Sequence, residues 1–568
     1  MKRIAFFVSL VLVFTFAASV ASAAYYEAFK HPDVAYADMA YTGIDVDAVD
    51  VFCERFLRNP VGLYRALLEL YAEVYTQNEL AYIAMCQNAD DAALSVADAQ
   101  AEADYACASD AICTALSKAL AGPQGNALRS LMPEGEADAF LDYETASDVE
   151  INASAEETAL IRRYYQLPDD GNFADAAAEL YLRLAALRRG AAACEGFDNY
   201  PEYAYMVSFA REYLPEDARE LQRIVKSGIA PLYVRCVRAL DAAPVVWDDG
   251  DIPSGAEILD AIGAHIADIS PELTEAFDFL RRNQLYCIGS GDKLLDMGYT
   301  ASLPAYRSGF IFNKASTRYD AFETTVHEFG HFNAIYHDPT ALLYQYNNMD
   351  VSEVQSQGLE LLFLPALQDI LAGDDPGGRA IVALSVLSDA LGAVVDGCMY
   401  DEFEQAVYDD PDMTVSELHA LEQRLYAAYG LDGLFNSEPY WVYISHLFEQ
   451  PCYYISYAAS ALPALDLWLQ SLEDREAAVD AYMRVSAART DEWFLDVLYD
   501  NGLCDITDRR DVARLSQGLG TQIDALIVAL PVARSHAGVW IAAAATTAAC
   551  GAGLFFRLRR RNKKREAA

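Results

Sequence analysis

The sequence is poor in basic residues. It contains 41 Lys and Arg against 85 Asp and Glu, which gives a net charge of −44 over 568 residues. A surface this acidic repels phosphate groups, so the composition excludes a protein that binds nucleic acid or anionic lipid over a broad face. The sequence also lacks a repeat of fixed period and a low-complexity linker. Nothing in it therefore indicates a repeat architecture.

Cysteine is scarce as well, with 11 in the chain. A chain of this length buries a core large enough to hold its fold, which excludes a small disulfide scaffold. Cys550 lies in an apolar segment near the C-terminus, and the other ten cysteines permit up to five disulfides in an oxidising compartment. We predict that Cys107 and Cys113, six residues apart, form the local pair.

The N-terminus has the pattern of a secretory signal. Lys2 and Arg3 precede an apolar run at residues 4–20, and the small residues 21–23 follow it. A basic start, an apolar stretch and a small-residue site are the three parts of a signal peptide. We therefore predict a signal peptide at residues 1–23.

A second apolar segment lies near the C-terminus. Residues 537–556 carry no charge, and seven Arg and Lys follow within residues 557–568. Twenty helical residues span about 30 Å, which is the thickness of the hydrocarbon core of a membrane. A basic flank marks the cytoplasmic side. The sequence predicts one transmembrane helix, a cytoplasmic tail, and a body on the outer face of the cell membrane.

Periodicity in the body predicts a mainly α-helical protein with a small β-sheet. Residues 50–240 are mostly amphipathic helix, and residues 64–71 show an apolar stripe at i, i+3, i+4 and i+7. The best strand signal is at residues 306–312, which we predict to be an edge strand that pairs with substrate backbone. We predict a helical N-terminal lobe at residues 24–195 and a second lobe at residues 196–530.

A metal-binding motif lies in the second lobe. Residues 326–331 read Val-His-Glu-Phe-Gly-His, which contains a complete HExxH. On a helix, His327 and His331 project from one face and suit a zinc ion. Glu328 lies beside the first histidine and suits a general base that takes a proton from water. The motif alone also occurs on solvated helices, so the prediction of a metal site also depends on a third ligand.

Two residues compete as the third ligand. His337 has the spacing of a ligand set that turns sharply after the second histidine, but that turn needs glycine where this chain has Ala334. Glu353 lies farther along, after Ser352, which we predict to be the N-cap of a second helix. Glu360 falls on the same face and is placed to orient a ligating histidine. We predict Glu353 as the ligand.

The sequence resembles the thimet oligopeptidase and oligoendopeptidase F family of zinc metallopeptidases over roughly residues 160–465. The similarity rests on four segments outside the HExxH motif, at residues 196–205, 298–312, 353–360 and 446–458. Thr300 replaces the usual Cys, Gly309 replaces the usual Pro, and one extra residue separates His446 from Pro451. The resemblance implies one Zn²⁺ per chain and two lobes that enclose a deep substrate channel, which admits short unfolded peptides.

The last similar segment also suggests donors for the oxyanion that forms during peptide hydrolysis. Pro451 is suited to open a helix, which would place Tyr453 and Tyr457 on one face and Tyr454 close to Tyr457. Histidine N–H and tyrosine hydroxyl groups are suitable donors. We predict His446 and Tyr457 in this role, with Tyr453 and Tyr454 left open. Tyrosines at this spacing also serve as packing residues.

These observations predict a membrane-anchored, extracytoplasmic zinc metalloendopeptidase that cleaves oligopeptides with Glu328 as general base. One alternative is a carboxydipeptidase on the same fold, since no feature of the sequence separates the two activities. A second is a catalytically silent surface protein that binds peptides. The intact Glu328 argues against the silent protein, because a binding module needs no general base.

Overall fold

The computed structural model describes residues 31–133, 135–141, 148–168, 171–243, 251–345, 348–434, 439–490 and 492–531. The predicted signal peptide (1–23), transmembrane helix (537–556) and cytoplasmic tail (557–568) lie outside these residues. Within them the chain is mainly α-helical with a small sheet, which confirms the predicted fold class.

The first part of the chain is helical. Its helices are α1 (Val46–Arg58), α2 (Pro60–Gln87), α3 (Ala92–Leu120), α4 (Gly125–Arg129), α5 (Glu136–Leu141), α6 (Asp148–Tyr165) and α7 (Phe173–Cys194). Local caps start the long ones: the side chain of Asp45 accepts a hydrogen bond from the backbone N–H of Ala48. Asn59 caps α2 in the same way, and Pro60 occupies the first helical position, where no N–H is needed.

Shorter helices lead to the sheet. They are α8 (Tyr200–Tyr203), which continues into a π-helical turn at Ala204–Ser208, α9 (Pro215–Gly228), α10 (Ala230–Ala242), α11 (Gly255–Ile266) and α12 (Pro271–Arg282). The sheet consists of β1 (Tyr286–Gly289), β2 (Gly298–Leu303) and β3 (Ser308–Lys314) in the order β1-β3-β2. β1 pairs parallel with β3, and β2 pairs antiparallel with it.

The strand predicted at residues 306–312 is present as β3, but the prediction that it is an edge strand is wrong. Tyr306 lies in the turn before the strand, and β3 is the central strand of the sheet. Every residue of β3 from Ser308 to Asn313 is buried. The consecutive apolar residues at 310–312 are those of a strand covered on both faces and paired on both edges. Within the described sheet β2 is an edge, and it carries Thr300.

The C-terminal part is again helical. Its helices are α13 (Arg318–His337), α14 (Met349–Ala372), α15 (Pro376–Asp409), α16 (Val415–Ala428), α17 (Ser445–Glu449), α18 (Ile455–Glu473), α19 (Arg475–Ser486), α20 (Phe494–Asp500) and α21 (Arg509–Ala529). Short 3₁₀ turns occur at Tyr36–Asp38, Leu342–Tyr344 and Trp441–Tyr443. Helix α13 packs against β3 and α14, and α14 packs in turn against α15 and α18.

Buried apolar residues form two clusters. The smaller cluster joins α1, α2 and α3 through Phe56, Leu67 and Ile112, and Tyr344 also belongs to it. The larger cluster contains the sheet and the long C-terminal helices. Helix α13 therefore lies inside the larger core, with β3 on one side and α14 on the other.

Among the described helices, α15 has the length and apolar composition of a membrane span. Most of its apolar stretch, 72%, is buried inside the protein. Its neighbours are α10, α14 and α18, so its apolar side chains pack against protein. The helix is a core helix.

The predicted disulfide between Cys107 and Cys113 does not form. Both residues lie on α3, and the ten cysteines within the described ranges are all free thiols. Six residues along an α-helix correspond to a rise of about 9 Å and a rotation of about 240°, so the two side chains leave the helix in different directions. Their sulfur atoms cannot approach within the length of a disulfide.

Candidate metal centre and active site

The HExxH motif lies on a continuous helix. Thr317 caps α13 by accepting a hydrogen bond from the N–H of Asp320, and the helix then runs to His337 without a break. His327 and His331 are one turn apart, with ring centroids separated by 4.9 Å. Both rings face α14, which begins at Met349 after Asn348 accepts the N–H of Val351.

Helix α14 brings Glu353 to the two histidines. Its Oε2 atom lies 3.5 Å from Nε2 of His327 and 3.9 Å from Nε2 of His331. Donor atoms of the three side chains all lie within 4.8 Å of one another. Glu353 and His327 are buried, at 3% and 5% exposure, so solvent does not compensate the charge of the carboxylate.

His337 does not belong to this group. It is the last residue of α13, and the charges that act on it are those of Glu272, Glu275 and His31. The helix continues through Ala334 without the turn that would direct His337 back toward the motif.

A glycine sets how closely α13 and α14 approach. A Cβ atom on Gly330 would lie 2.6 Å from Cα of Ser356 and 2.7 Å from the carbonyl oxygen of Gln355. Both atoms belong to the backbone of α14, which cannot yield as the end of a side chain can. Gly330 is therefore the point at which the two helices touch, one residue before His331.

Each histidine makes a second contact through Nδ1. Glu360 contacts Nδ1 of His327, and Oγ of Ser352 lies 3.1 Å from Nδ1 of His331. The prediction that Ser352 is an N-cap is wrong, because the helix begins three residues earlier and leaves the hydroxyl available to the histidine. With both Nδ1 atoms engaged, the Nε2 atoms are the ones that face Glu353.

The electrostatics of the two histidines differ. Burial disfavours the charged form of His327, but Glu360, Glu353 and Glu328 outweigh it and raise the pKa to about 10. Burial lowers the pKa of His331 to about 4. In the absence of a metal, the carboxylates thus hold a proton on one ring. A cation that displaces this proton neutralises the same carboxylates.

The donor set fits a zinc ion. Among the described side chains, Nε2 of His327 is a buried nitrogen that has no hydrogen-bond partner. It points toward a second imidazole nitrogen and a carboxylate oxygen. Two nitrogens and one carboxylate are a ligand set of catalytic zinc sites. His327, His331 and Glu353 are the residues that would hold the ion.

Glu328 is buried beside this group and is held by the sheet. The hydroxyl of Thr300 on β2 donates to Oε2 of Glu328 at 2.7 Å and lies 2.9 Å from its backbone oxygen. The other carboxylate oxygen, Oε1, has no hydrogen-bond partner in the described part of the chain. Burial raises the pKa of Glu328 to about 7, so near neutral pH this carboxyl can both accept and release a proton.

Histidine and tyrosine residues form a second wall beside Glu353. We call residues 445–457 the donor segment. The ring of His446 lies 5.2 Å from Tyr453, 5.9 Å from Tyr454 and 6.2 Å from Tyr457, measured between centroids. The hydroxyl of Tyr453 donates to Oε1 of Glu353 at 3.2 Å. Burial lowers the pKa of His446 to about 4, so its ring is neutral and carries an N–H.

The prediction that Pro451 opens a helix is wrong. Helix α17 ends at Glu449, α18 begins only at Ile455, and Cys452 between them has a φ of +64°. Tyr453 and Tyr454 therefore precede the helix, and the expected i, i+4 relation of Tyr453 and Tyr457 does not arise from helical spacing. The rings meet nonetheless, with a centroid distance of 5.1 Å.

Sequence reasoning missed three contacts of this site. They are the hydrogen bond from Thr300 to Glu328, the contact of Ser352 with His331, and the hydrogen bond from Tyr453 to Glu353. Each joins two elements that are distant in the chain or face each other only after folding. One signal was available for the first: Thr300 stands where the resembling family has Cys.

Comparison with solved structures identifies the fold. A protein assigned as oligoendopeptidase F matches with a TM-score of 0.71 at 19% identity, over 87% of this chain and 99% of that chain. PZ peptidase A, solved with an inhibitor, matches with a TM-score of 0.70 at 18% identity, over 86% and 99%. A protein assigned as oligoendopeptidase F from Bacillus anthracis gives 0.68 at 18% identity, over 88% and 98%.

No protein-family model and no curated protein sequence matches the chain. Structural likeness at 18–19% identity establishes the fold and leaves activity to be argued from the site. The resemblance seen in the sequence is confirmed at this level: the chain has the fold of the oligoendopeptidase F structures.

Proposed function

We propose that the protein is a zinc metallopeptidase that hydrolyses internal bonds of oligopeptides. The observation that carries the proposal is the group of His327, His331 and Glu353, in which His327 and Glu353 are buried and whose donor atoms converge beside Glu328. A structural zinc site has four protein ligands, whereas three protein ligands are typical of a catalytic site. The fold likeness to proteins named as peptidases supports the same assignment.

Glu328 is the general base in this proposal. When bound, a zinc ion supplies Lewis-acid chemistry that polarises the scissile carbonyl and makes water more acidic. Oε1 of Glu328, which has no partner within the described residues, accepts a proton from the attacking water as the C–O bond forms. Thr300 keeps the other oxygen occupied. Glu328 then delivers this proton to the departing amine nitrogen as the C–N bond breaks, which balances the hydrolysis.

His446 and Tyr457 are the proposed donors to the oxyanion. A donor must present hydrogen to the developing charge without carrying a competing negative charge. Neutral His446 meets this condition, because burial lowers its pKa to about 4. Tyr453 is less suited, since its hydroxyl already donates to Glu353. This hydrogen bond indicates that Tyr453 orients Glu353, the carboxylate proposed to bind zinc.

We propose that substrate lies along β2. Within the described sheet this strand pairs with β3 on one side only, and a strand edge that lacks a strand partner can pair with an extended peptide. Thr300 on β2 contacts Glu328, so a peptide along this edge passes close to the base. A deep channel between the two lobes would restrict substrates to short unfolded peptides, as the family resemblance implies.

The location in the cell is also a proposal. It rests on the signal-peptide pattern at residues 1–23, the uncharged residues 537–556 and the basic residues 557–568. These patterns support a single-pass membrane protein with the catalytic body outside. Two epitope tags test this, one at residue 24 and one after residue 568. External protease should remove the first tag and spare the second. Equal protection of both tags would contradict the orientation.

The function is tested with the full-length protein in detergent. Zinc is quantified by mass spectrometry, and a mixed peptide library is incubated with the protein with and without a chelator. We expect one zinc per chain and internal cleavage that the chelator abolishes and added zinc restores. Release of carboxyl-terminal dipeptides would favour the carboxydipeptidase. Zinc-loaded protein that binds peptides without cleaving them would favour the silent binding protein.

A further inference from the structure

The donor segment is irregular and depends on other elements for its shape. Between α17 and α18 the chain turns at Cys452, whose φ of +64° is uncommon for a residue with a side chain. Such a conformation costs on the order of 1–3 kcal/mol and persists only where surrounding contacts impose it. The N–H of Cys452 donates to Glu404 at 3.0 Å. Its carbonyl oxygen is held by an arginine.

Arg211 binds the second half of the donor segment. One terminal nitrogen donates to the carbonyl oxygen of Cys452 at 2.8 Å, and the other donates to Oγ of Ser456 at 2.7 Å. The second nitrogen also lies 3.5 Å from the carbonyl oxygen of Tyr453. The guanidinium thus contacts three residues between Pro451 and Tyr457. It is buried, with a side-chain exposure of 1%.

Arg211 is itself held by aromatic side chains and a carboxylate. Its guanidinium carbon lies 4.6 Å from the ring centre of Tyr205 and 4.4 Å from that of Phe209. Its Nε atom lies 3.5 Å from the carboxylate of Asp350, which is on α14, one turn before Glu353. Ala210, the residue before the arginine, also has a positive φ, +47°. Arg211 therefore connects the helix of the third metal ligand with the segment of the tyrosines.

Arg188 binds the first half of the donor segment in a similar way. From α7 its guanidinium donates to the carbonyl oxygen of Leu447 at 3.3 Å and to that of Phe448. Nε of Arg188 lies 2.6 Å from Oε1 of Glu157, which balances the charge. Arg188 is 2% exposed. Leu447 and Phe448 directly follow His446 in α17. The two arginines thus hold different halves of one segment.

We propose that Arg211 and Arg188 are positioning residues: Arg211 places Tyr457 and Tyr453, and Arg188 places His446. The inference rests on the proposed function, in which these groups face the oxyanion. The planar guanidinium offers five donors in a fixed geometry, so it can bind two or three backbone groups at once. A lysine presents a single ammonium group on a flexible chain and cannot hold the same set.

Kinetics of single and double variants test the assignment. Arg211→Met should lower kcat, by up to the factor of about 10²–10³ that loss of an oxyanion donor costs, with little change in KM. Arg211→Lys should also lower kcat, but by a smaller factor than Arg211→Met. Once Arg211→Met has displaced Tyr457, adding Tyr457→Phe should lower kcat little further. Arg188→Met acts through His446, so its effect should multiply with that of Tyr457→Phe.

Amide hydrogen exchange provides a readout that does not depend on turnover. In full-length Arg211→Met at saturating zinc, exchange at residues 452–457 should become faster, while exchange at residues 327–331 stays as in wild type. In Arg188→Met the faster exchange should occur at residues 446–449. Lys226→Met is the control, since it breaks the ion pair with Glu402 between α9 and α15, and neither residue belongs to the donor segment. It should leave kcat and both exchange patterns unchanged.

The outcomes separate the inference from the function. If wild-type protein does not hydrolyse peptides but Arg211→Met accelerates exchange at 452–457, the proposed function fails and the structural role of the arginine stands. Wild-type kcat and exchange in Arg211→Met, or a kcat loss that multiplies with Tyr457→Phe, overturns the positioning role. Faster exchange throughout the protein, or a full kcat rescue by Arg211→Lys, also overturns it. Faster exchange throughout the protein would mean general destabilisation. A full rescue by lysine would mean that only the positive charge is needed.

Discussion

The two walls of the candidate site hold their side chains by different means. On the metal-ligand wall, His327, His331 and Glu353 project from α13 and α14, two long helices with regular caps. On the donor wall, His446 lies on the short α17, and Tyr453 precedes α18 after a residue with positive φ. The first wall consists of two long helices, and the second consists of a five-residue helix, a loop at residues 450–454 and the first turn of α18.

This difference indicates what each wall depends on. A helix fixes the spacing of residues at i and i+4 through its own backbone hydrogen bonds. Helix α13 therefore sets the spacing of the histidine pair, and only α14 must pack against it to bring Glu353. The donor segment has no such internal rule, and Arg211, Arg188 and Glu404 bind its backbone instead. We expect changes to His327, His331 and Glu353 to affect the metal, and changes to His446 and Tyr457 to affect turnover.

The largest expected effect is on metal binding. Glu353→Ala removes one of three donors and should abolish zinc binding at micromolar zinc, and activity with it. His337→Ala should leave the zinc content at one per chain, because His337 lies at the far end of α13 among Glu272 and Glu275. Zinc is measured by mass spectrometry after dialysis. If His337→Ala empties the site and Glu353→Ala does not, the ligand assignment is wrong.

The second prediction removes the base and keeps the metal. Glu328→Gln preserves size, so the protein should retain zinc and peptide affinity while kcat falls by on the order of 10²–10⁴. The amide oxygen can still accept the hydrogen bond of Thr300, which limits any structural change. Peptide affinity is measured by calorimetry and kcat by chromatography. A variant with near wild-type turnover would place the base elsewhere.

The third prediction compares two tyrosines of the donor wall. Tyr457→Phe should lower kcat by on the order of 10²–10³ with little change in KM, because its hydroxyl is proposed to act on the transition state. Tyr453→Phe should instead weaken zinc binding, since that hydroxyl donates to Glu353. Steady-state kinetics and zinc titration distinguish them. A fully active Tyr457→Phe protein would move the donor role to Tyr453 or Tyr454.

The fourth prediction tests the close contact of the ligand helices. Gly330→Ala places a Cβ 2.6 Å from Cα of Ser356, and relief of such overpacking costs about 1–3 kcal/mol of stability. Zinc affinity should fall too, because α14 carries Glu353. Gly190→Ala is the matched control: no atom lies within 4 Å of its added Cβ, and alanine should stabilise α7 by about 0.4–1 kcal/mol. Chemical denaturation of both variants measures this, and equal stabilities would refute the contact.

The smallest expected effect concerns pH and a carboxyl near the donor wall. Burial raises the pKa of Asp396 from 3.8 to about 7, and its carboxyl group has no hydrogen bond within the described part of the chain. The unfolded chain releases the proton first, so this group costs stability as pH rises from about 4 through 7. Asp396→Asn should therefore stabilise the protein at pH 8 and have little effect at pH 4. Thermal melting at both values checks this, and equal shifts would contradict it.

Much of the metal-ligand wall could be predicted from the sequence. The HExxH spacing on a helix without glycine or proline at its flanks places two imidazoles on one face, and the absence of glycine at Ala334 argues against His337. The prediction of Glu353 as the third ligand rested on the missing glycine and on a second helix expected near Ser352. The structure brings these three side chains together. It also shows that Gly330, inside the motif, is where α14 packs against α13.

The remainder depended on contacts between distant segments. The edge-strand prediction failed because the sequence of one strand does not determine which strands pair with it. In the folded sheet β3 lies between β1 and β2. The N-cap prediction for Ser352 failed because Asn348 starts the helix earlier. The helix predicted from Pro451 failed because Glu404 and Arg211 hold Cys452 in a conformation that local preference disfavours.

The sequence by itself determined the helical class, the spacing of the histidine pair and the position of Glu328 beside it, because these follow from spacing along one segment. Only the tertiary structure decided which face of α14 meets α13, which groups engage the Nδ1 atoms, and how the donor segment turns. Periodicity is a local property that a single helix enforces through its own hydrogen bonds. The shape of an irregular segment is set by buried groups such as Arg211, which is more than 240 residues away in the chain from the carbonyl and hydroxyl groups that it binds.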